Sequence, residues 1–356
     1  MNRPVHGGNL RWAAAVASCS PTFILDFSAS INPFGPPQRV MEVLQAHLNE
    51  VAAYPNPDYA RLRASLAEWH QLPQDWILPG NGAAELLTWA AWDLAQQSAV
   101  AVVTPAFADY ERALNAAGAR IERHGLDLPA SADRVIAAAL PVPEPGDRGL
   151  LLNVPHNPTG KCFSPQAIRA HLEAGSLVVV DEAFMEFLAP AQQPTLVPWL
   201  AHYPNLVVLR SLTKFYSLPG LRLGYALGHP ERLRRWQQWR DPWPVNGLAD
   251  VAGQAAVGDV AFQQQTRTEL AAARDGLHRG LAAIPGLEPL ASAANFVLVR
   301  TQQPGSELQA RLLRRHRIAI RDCLSFPELG DRFFRVAVRS PSDNQRLLDG
   351  LTEVTA

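Results

Sequence analysis

Lysine is nearly missing from this 356-residue chain. Only Lys161 and Lys214 occur, so 30 of the 32 basic residues are arginine. Guanidinium does not give up its proton in a protein whereas a lysine amine does, so an imine-forming nitrogen has two places to be. A coding bias toward arginine explains the scarcity equally well, and the two lysines have to be judged by their surroundings. Cysteine is scarce too. Cys19, Cys162 and Cys323 are odd in number and far apart, which gives neither a disulfide framework nor a zinc spacing and fits buried or half-buried thiols in a reducing compartment. Net charge is almost absent: 32 basic residues against 33 acidic leave −1, with no block of one sign to attract nucleic acid or an anionic membrane. No apolar run approaches the roughly 18 to 20 residues that span a bilayer. Residues 1–10 lack the basic start and apolar run of a secretory signal. These absences predict a cytoplasmic protein with neither a nucleic-acid nor a membrane partner, and no metal site. Disorder is excluded by what is present, since 47% of residues are hydrophobic and 18% charged, enough for one or two cores.

The chain has no internal repeats, and its 30 prolines punctuate loops, as at Asn32-Pro33, Tyr54-Pro55 and residues 141–145. Helical and strand signals alternate through the middle. Residues 83–97 read as a helix, followed by a short apolar run at 99–103. Further runs at 150–154, 177–180 and 206–209 read as strands buried on both faces, with a helix at 165–173 between two of them. That is the pattern of a mainly parallel sheet covered by helices. After a helical region over 249–283 come strands at 295–300, 318–321 and 333–338, a helix over 306–316 and a last helix, which read as a smaller α+β domain. The organisation is therefore an irregular, Pro-rich arm over 1–40, a large domain over 41–250 and a small domain over 251–356.

Four segments carry chemistry. Lys214, in Ser211-Leu212-Thr213-Lys214, follows the end of a buried strand, where α/β sheets place ligands. There it can form a Schiff base with an aldehyde cofactor whose phosphate Ser211, Thr213 and Arg222 hold, or it is simply a surface lysine after a strand. Asp181 ends the run Val179-Val180. A buried carboxylate there needs a cation, which a protonated pyridine nitrogen supplies. Asn157, in Asn157-Pro158-Thr159-Gly160, has an amide able to donate to a phenolic oxygen, although the tetrapeptide alone is a good turn. The glycine loop Pro79-Gly80-Asn81-Gly82-Ala83 opens a helix whose free N–H groups suit a phosphate ester. Phe107 either stacks on a ring or belongs to the core.

Taken in order, these motifs resemble the fold-type I pyridoxal phosphate enzymes, the aspartate aminotransferase superfamily. The resemblance spans nearly the whole chain and implies an α/β fold, with a large domain built on a mainly parallel seven-stranded sheet between helices and a smaller α+β C-terminal domain. It implies pyridoxal 5'-phosphate as cofactor, Lys214 as its Schiff-base lysine and catalytic residue, Asp181 as partner of the pyridinium and Asn157 as partner of the phenolate. It makes Phe107 the stacking ring and Gly82, Ala83, Ser211, Thr213 and Arg222 the phosphate cup. Tyr54 resembles the tyrosine that relatives contribute to the neighbouring subunit's cofactor phosphate, which implies a homodimer. Lys161 should then be only a solvated residue after a turn.

Within the superfamily, His6-Gly7-Gly8-Asn9, residues 26–33 and the segments around Arg321 and Arg335 resemble the threonine-phosphate decarboxylases of cobalamin synthesis, relatives of the histidinol-phosphate aminotransferases. That likeness implies a phosphorylated amino acid as substrate, bound by His6, Ser30, Asn32, Asn157, Arg321 and Arg335. It implies decarboxylation of threonine O-3-phosphate to 1-amino-2-propanol O-2-phosphate, with an aminotransferase as the alternative. His6 as a helix cap and Ser30 and Asn32 as turn residues are the plainer readings. Which anion each arginine takes is not readable from the sequence. Phe184 stands where many aminotransferases of the group carry tyrosine, which leaves Asn157 with more of the phenolate's hydrogen bonding.

Overall fold

A computed structural model describes residues 3–126, 140 and 148–356, so the proline run at 141–145 lies outside the described residues. The segment expected to be irregular carries a helix and a strand. α1 (Leu10–Ala17) begins where the Asn9 side chain accepts a hydrogen bond from the Trp12 amide at 3.0 Å, and it ends at Ser18 in left-handed geometry. β1 (Leu25–Asp26) follows. The expectation of an irregular segment is corrected there, because an Asn cap and an Ala-rich stretch suffice for two helical turns when one face is buried.

Helices α2 (Gln38–Ala46) and α3 (Ala60–His70) lead into β2 (Ile77–Asn81) and α4 (Gly82–Leu94). Then come β3 (Ala99–Thr104), α5 (Ala108–Ala116), β4 (Ile121–Gly125), β5 (Arg148–Asn153), α6 (Pro165–Glu173), β6 (Leu177–Asp181), β7 (Leu206–Ser211) and β8 (Leu223–Gly228). These seven strands form one sheet in the order β2-β8-β7-β6-β5-β3-β4, parallel except for β8, which runs antiparallel to both its neighbours. Leu177 to Val180 and Leu206 to Leu209 are fully buried, as both-face coverage by helices requires. Register aligns Asn153 with Asp181 and Asp181 with Leu209. Polar residues thus meet on one row where the parallel strands end.

The chain continues through α7 (Pro230–Trp239), α8 (Gly247–Val257) and the long α9 (Val260–Ala282). A second, antiparallel sheet has the order β12-β13-β10-β9, built from β9 (Leu287–Pro289), β10 (Phe296–Thr301), β12 (Arg321–Asp322) and β13 (Phe333–Ala337). α10 (Gly305–His316) and α11 (Pro341–Thr355) cover it, and β11 (Ile318–Ala319) precedes β12. The single strand expected over 318–321 is broken at Ile320: β11 pairs in parallel with β1, Leu25 opposite Ile318, while β12 turns to β13. Among the described residues no helix is long and apolar enough to cross a membrane.

Candidate active site

Lys214 lies in the turn after β7 and is half-buried. The Asn32 amide donates to its carbonyl at 3.0 Å, and its Nζ stands 4.8 Å above the centre of the Phe184 ring. Burial pulls the amine below its ordinary value. Asp181 opposes that, and Arg335 and Arg222 add to it. A lysine so placed loses its proton more readily than one in water, as an imine-forming amine must.

Asp181 ends β6 on the same rim. The Tyr110 hydroxyl donates to its Oδ2 at 2.8 Å and the Ala183 amide to its Oδ1 at 2.9 Å. Burial raises its carboxyl, while the Lys214 charge and the two hydrogen bonds pull it back. An acid held this way is poised to stabilise a cation delivered to it. Tyr110 was missed in the sequence, although it stands one turn of α5 beyond Phe107 and that spacing was the available signal. Their rings meet edge to face at 5.7 Å.

Asn157 is buried and bridges the two sheets, its Oδ1 accepting from Arg335 Nη1, so its amide nitrogen stays free to donate. Arg335 and Arg321 are directly opposed residues of β13 and β12, both buried. Burial brings Arg335 down to about 10, so it remains charged at neutral pH, and its guanidinium lies 4.6 Å from the Phe296 ring centre. Arg321 Nη2 donates to the Ser325 hydroxyl at 2.6 Å and to the Val5 carbonyl. The N-terminal segment is thus fastened over the site, helped by an Arg3–Asp322 ion pair at 3.0 Å. His6 stands over Phe107 at 5.5 Å, and burial followed by Arg321 lowers its imidazole below the ordinary value. Asn9, not His6, caps the helix that follows. Gly7 permits the close approach, since a Cβ there would sit 2.0 Å from the Ser28 carbonyl oxygen.

His6, Ser30, Phe107, Asn157, Asp181, Lys214, Arg321 and Arg335 line one cavity of about 160 Å³. Asn153, Ile31 and Phe326 line it too, and sequence reasoning had no signal for them. Ser30 Oγ is buried without a partner, a hydroxyl left for a ligand. The expected phosphate groups gather beside it: Ser211 and Thr213 hydroxyls are buried and 2.7 Å apart, and Ser211 lies opposite Gly224 in the β7–β8 pairing. Gly82 opens α4 at φ +75°, and a Cβ on it would come within 2.6 Å of Arg222 Nη2, so only glycine lets that guanidinium reach the helix start beside Ala83.

Two expectations are placed differently. Asn32 does not face the cavity: its Nδ2 donates to the Phe215 carbonyl at 2.8 Å and to Thr266 Oγ1 at 3.1 Å, and its Oδ1 accepts from the Phe34 amide at 3.1 Å. With those bonds made, its side chain braces the Lys214 turn. Lys161 is buried, not solvated, and burial lowers its amine. The reason is long-range packing: the Ala293 amide donates to the Gly160 carbonyl at 2.8 Å, laying the stretch before β10 over this turn. Tyr54, expected to serve a neighbouring subunit, is 80% exposed, its ring centre 4.6 Å from that of Trp243 and outside its own chain's cavity.

A phosphate cup at a helix start, a buried acid, an amide donor and a depressed lysine are the donor set that pyridoxal phosphate needs, and these residues fit it. A model of the aminotransferase class I and II family matches residues 22–351. The chain belongs to that family. Like this family, it uses pyridoxal 5'-phosphate. Among relatives, the chain is 40% identical to a threonine-phosphate decarboxylase of Salmonella typhimurium, over 98% of this chain and 96% of that one. It is 39% identical to a histidinol-phosphate aminotransferase of Symbiobacterium thermophilum, over 90% and 87%. A solved histidinol-phosphate aminotransferase from Clostridium acetobutylicum superposes with a TM-score of 0.82 at 25% identity, covering 93% of this chain and 99% of that one. Membership of the aminotransferase class I and II family agrees with the expected fold and cofactor, and leaves decarboxylation and transamination to be separated.

Proposed function

We propose that the chain is a carboxy-lyase that converts threonine O-3-phosphate to (R)-1-amino-2-propanol O-2-phosphate for cobalamin synthesis. The carrying observation is the side-by-side pair of buried arginines, Arg321 and Arg335, on the wall of the Lys214 cavity. Two adjacent desolvated cations call for two anions a short distance apart. Threonine phosphate has them on neighbouring carbons, whereas histidinol phosphate has a phosphate and no carboxylate.

The cofactor, when bound, supplies an electron sink for the pair left at the substrate α-carbon. Asp181, kept in place by Tyr110, would hold its ring nitrogen. Asn157 would hold its ring oxygen, and Ser211, Thr213, Arg222 and the amides of Gly82 and Ala83 its phosphate. Arg335 sits beside Asn157 and takes the substrate carboxylate. Arg321, tied to the His6 segment, takes the substrate phosphate with Ser30. These anchors set the posture of the α-carbon, and posture selects loss of carbon dioxide over loss of a proton. Lys214 Nζ holds the proton returned to that carbon. Phe107, Phe184, Phe326 and the N-terminal segment exclude water.

The purified protein, given threonine phosphate, releases carbon dioxide with no 2-oxoglutarate present. Amino transfer that requires 2-oxoglutarate, without carbon dioxide, overturns this reading in favour of the aminotransferase. The working unit in this proposal is a homodimer. Leu48, Val51, Tyr54 and Trp243 are exposed on the single chain, and in this reading Tyr54 serves the neighbouring subunit's cofactor phosphate. Sedimentation at twice the 38.9 kDa chain mass tests it.

A further inference from the structure

A larger cavity, of about 740 Å³, lies among the turn entering α6, the Phe187–Leu188 segment and α9, and shares no lining residue with the Lys214 cavity. Its volume falls in the range of roughly 300–1,000 Å³ typical of small-molecule sites. The wall is mostly carbon, with Phe163, Phe187, Leu188 and Ala271 among its residues. Two charged residues line it, both arginines, and no carboxylate does. Arg267 is committed, since its Nε and Nη2 donate to the Glu186 carbonyl and carboxylate at 2.9 Å each. Arg274 is held loosely: Nη1 reaches the Ala293 carbonyl at 3.3 Å, and Nε lies 3.6 Å from Asp275, whose side chain is 61% exposed.

We infer that this cavity binds a small amphipathic anion, an apolar ring or short chain buried among the phenylalanines with its carboxylate on Arg274. An occupant would also touch the catalytic turn at one remove. Arg267 lies 5.4 Å from the centre of the Phe215 ring, the residue after Lys214, and its partner Glu186 also pairs with Arg210, the residue before Ser211. The inference stands apart from the reaction proposed above, because its readout is binding.

The test is titration calorimetry on the holoenzyme with 2-naphthoate and with its neutral counterpart 2-naphthamide. Naphthoate binds one to one, and the amide at least about fivefold more weakly. Arg274→Gln weakens naphthoate about tenfold, the loss of one charge-assisted hydrogen bond. Ala271→Trp and Thr268→Trp, each filling the cavity from α9, abolish binding while melting temperature and visible cofactor absorbance are kept. If either tryptophan variant does not fold, the other decides. Absence of saturable heat, equal affinity for acid and amide, or binding that survives a folded tryptophan variant overturns the inference.

Discussion

Replacing Tyr110 by phenylalanine removes one hydroxyl and leaves the ring, so it isolates the hydrogen bond to Asp181 Oδ2 at 2.8 Å. Towards an ionised carboxylate such a bond contributes about 1.5–3 kcal/mol, and towards a protonated one about 0.5–1.5 kcal/mol. The folded-state Asp181 carboxyl already lies above its ordinary value because it is buried. The native state therefore binds more protons than the unfolded state between the ordinary value and the raised one, and stability falls as pH rises through that window. Tyr110→Phe raises the folded value further and deepens the fall. In urea unfolding of the cofactor-free protein, the deficit of the variant against wild type is expected to grow from about 1 kcal/mol near pH 4 to about 2–3 kcal/mol near pH 8. A deficit that is flat with pH would refute the idea that this hydroxyl serves a charged Asp181.

Borohydride reduction followed by peptide mass mapping is expected to fix the cofactor on Lys214. Lys214→Ala should abolish the visible absorption, and Lys161→Ala should keep it. Asn32→Ala strands the Phe215 carbonyl and the Thr266 hydroxyl, so urea unfolding should show a loss of about 1–3 kcal/mol, while KM for threonine phosphate stays within about twofold. A tenfold rise in KM at unchanged stability would return Asn32 to the substrate. His70, brought down to about 3 by burial, binds fewer protons folded than unfolded, so its contribution is complete above about pH 6.5 and fades as pH falls toward 3. His70→Gln should lessen acid destabilisation by about 1.4 kcal/mol per pH unit in that range, read from denaturation at several pH values.

The positions of Asp181 and Ser211 were legible because each ends a strand built on an apolar run. Val178 to Val180 mark Asp181 as the end of a buried strand, and α6 spans Pro165–Glu173 just where a proline start and an amphipathic stretch place it. What escaped was set by partners far away in the chain. Nothing local says that residues 318–321 divide between β1 and β13, or that the stretch before β10 roofs the turn holding Lys161. Asn32 was visible as a polar residue in a Pro-rich turn, but the donors and acceptors that occupy it belong to Phe34, Phe215 and Thr266. Tyr110 and Ser30 differ in the same way: a helical repeat marks the first, while the unpartnered hydroxyl of the second exists only once β1 is docked.

That docking divides the labour of the site. The Phe27 amide donates to the Ala319 carbonyl at 2.7 Å and the Ala337 amide to the Phe27 carbonyl at 2.9 Å, so the segment bearing His6 and Ser30 is knitted to the strands bearing Arg321 and Arg335. The large sheet carries Asp181 and Ser211 at its strand ends, and Asn157 and the Lys214 turn in the loops that follow strands. In the proposed roles, substrate anchors and cofactor anchors thus sit on different pieces, joined by the Asn157–Arg335 bond and by the bonds of Asn32 to the Lys214 turn. Packing defects along the seam between β1 and β11, such as Leu25→Ala, should raise KM for threonine phosphate while the cofactor spectrum stays at its wild-type position. A shifted spectrum with unchanged KM would mean that the N-terminal segment serves the cofactor instead.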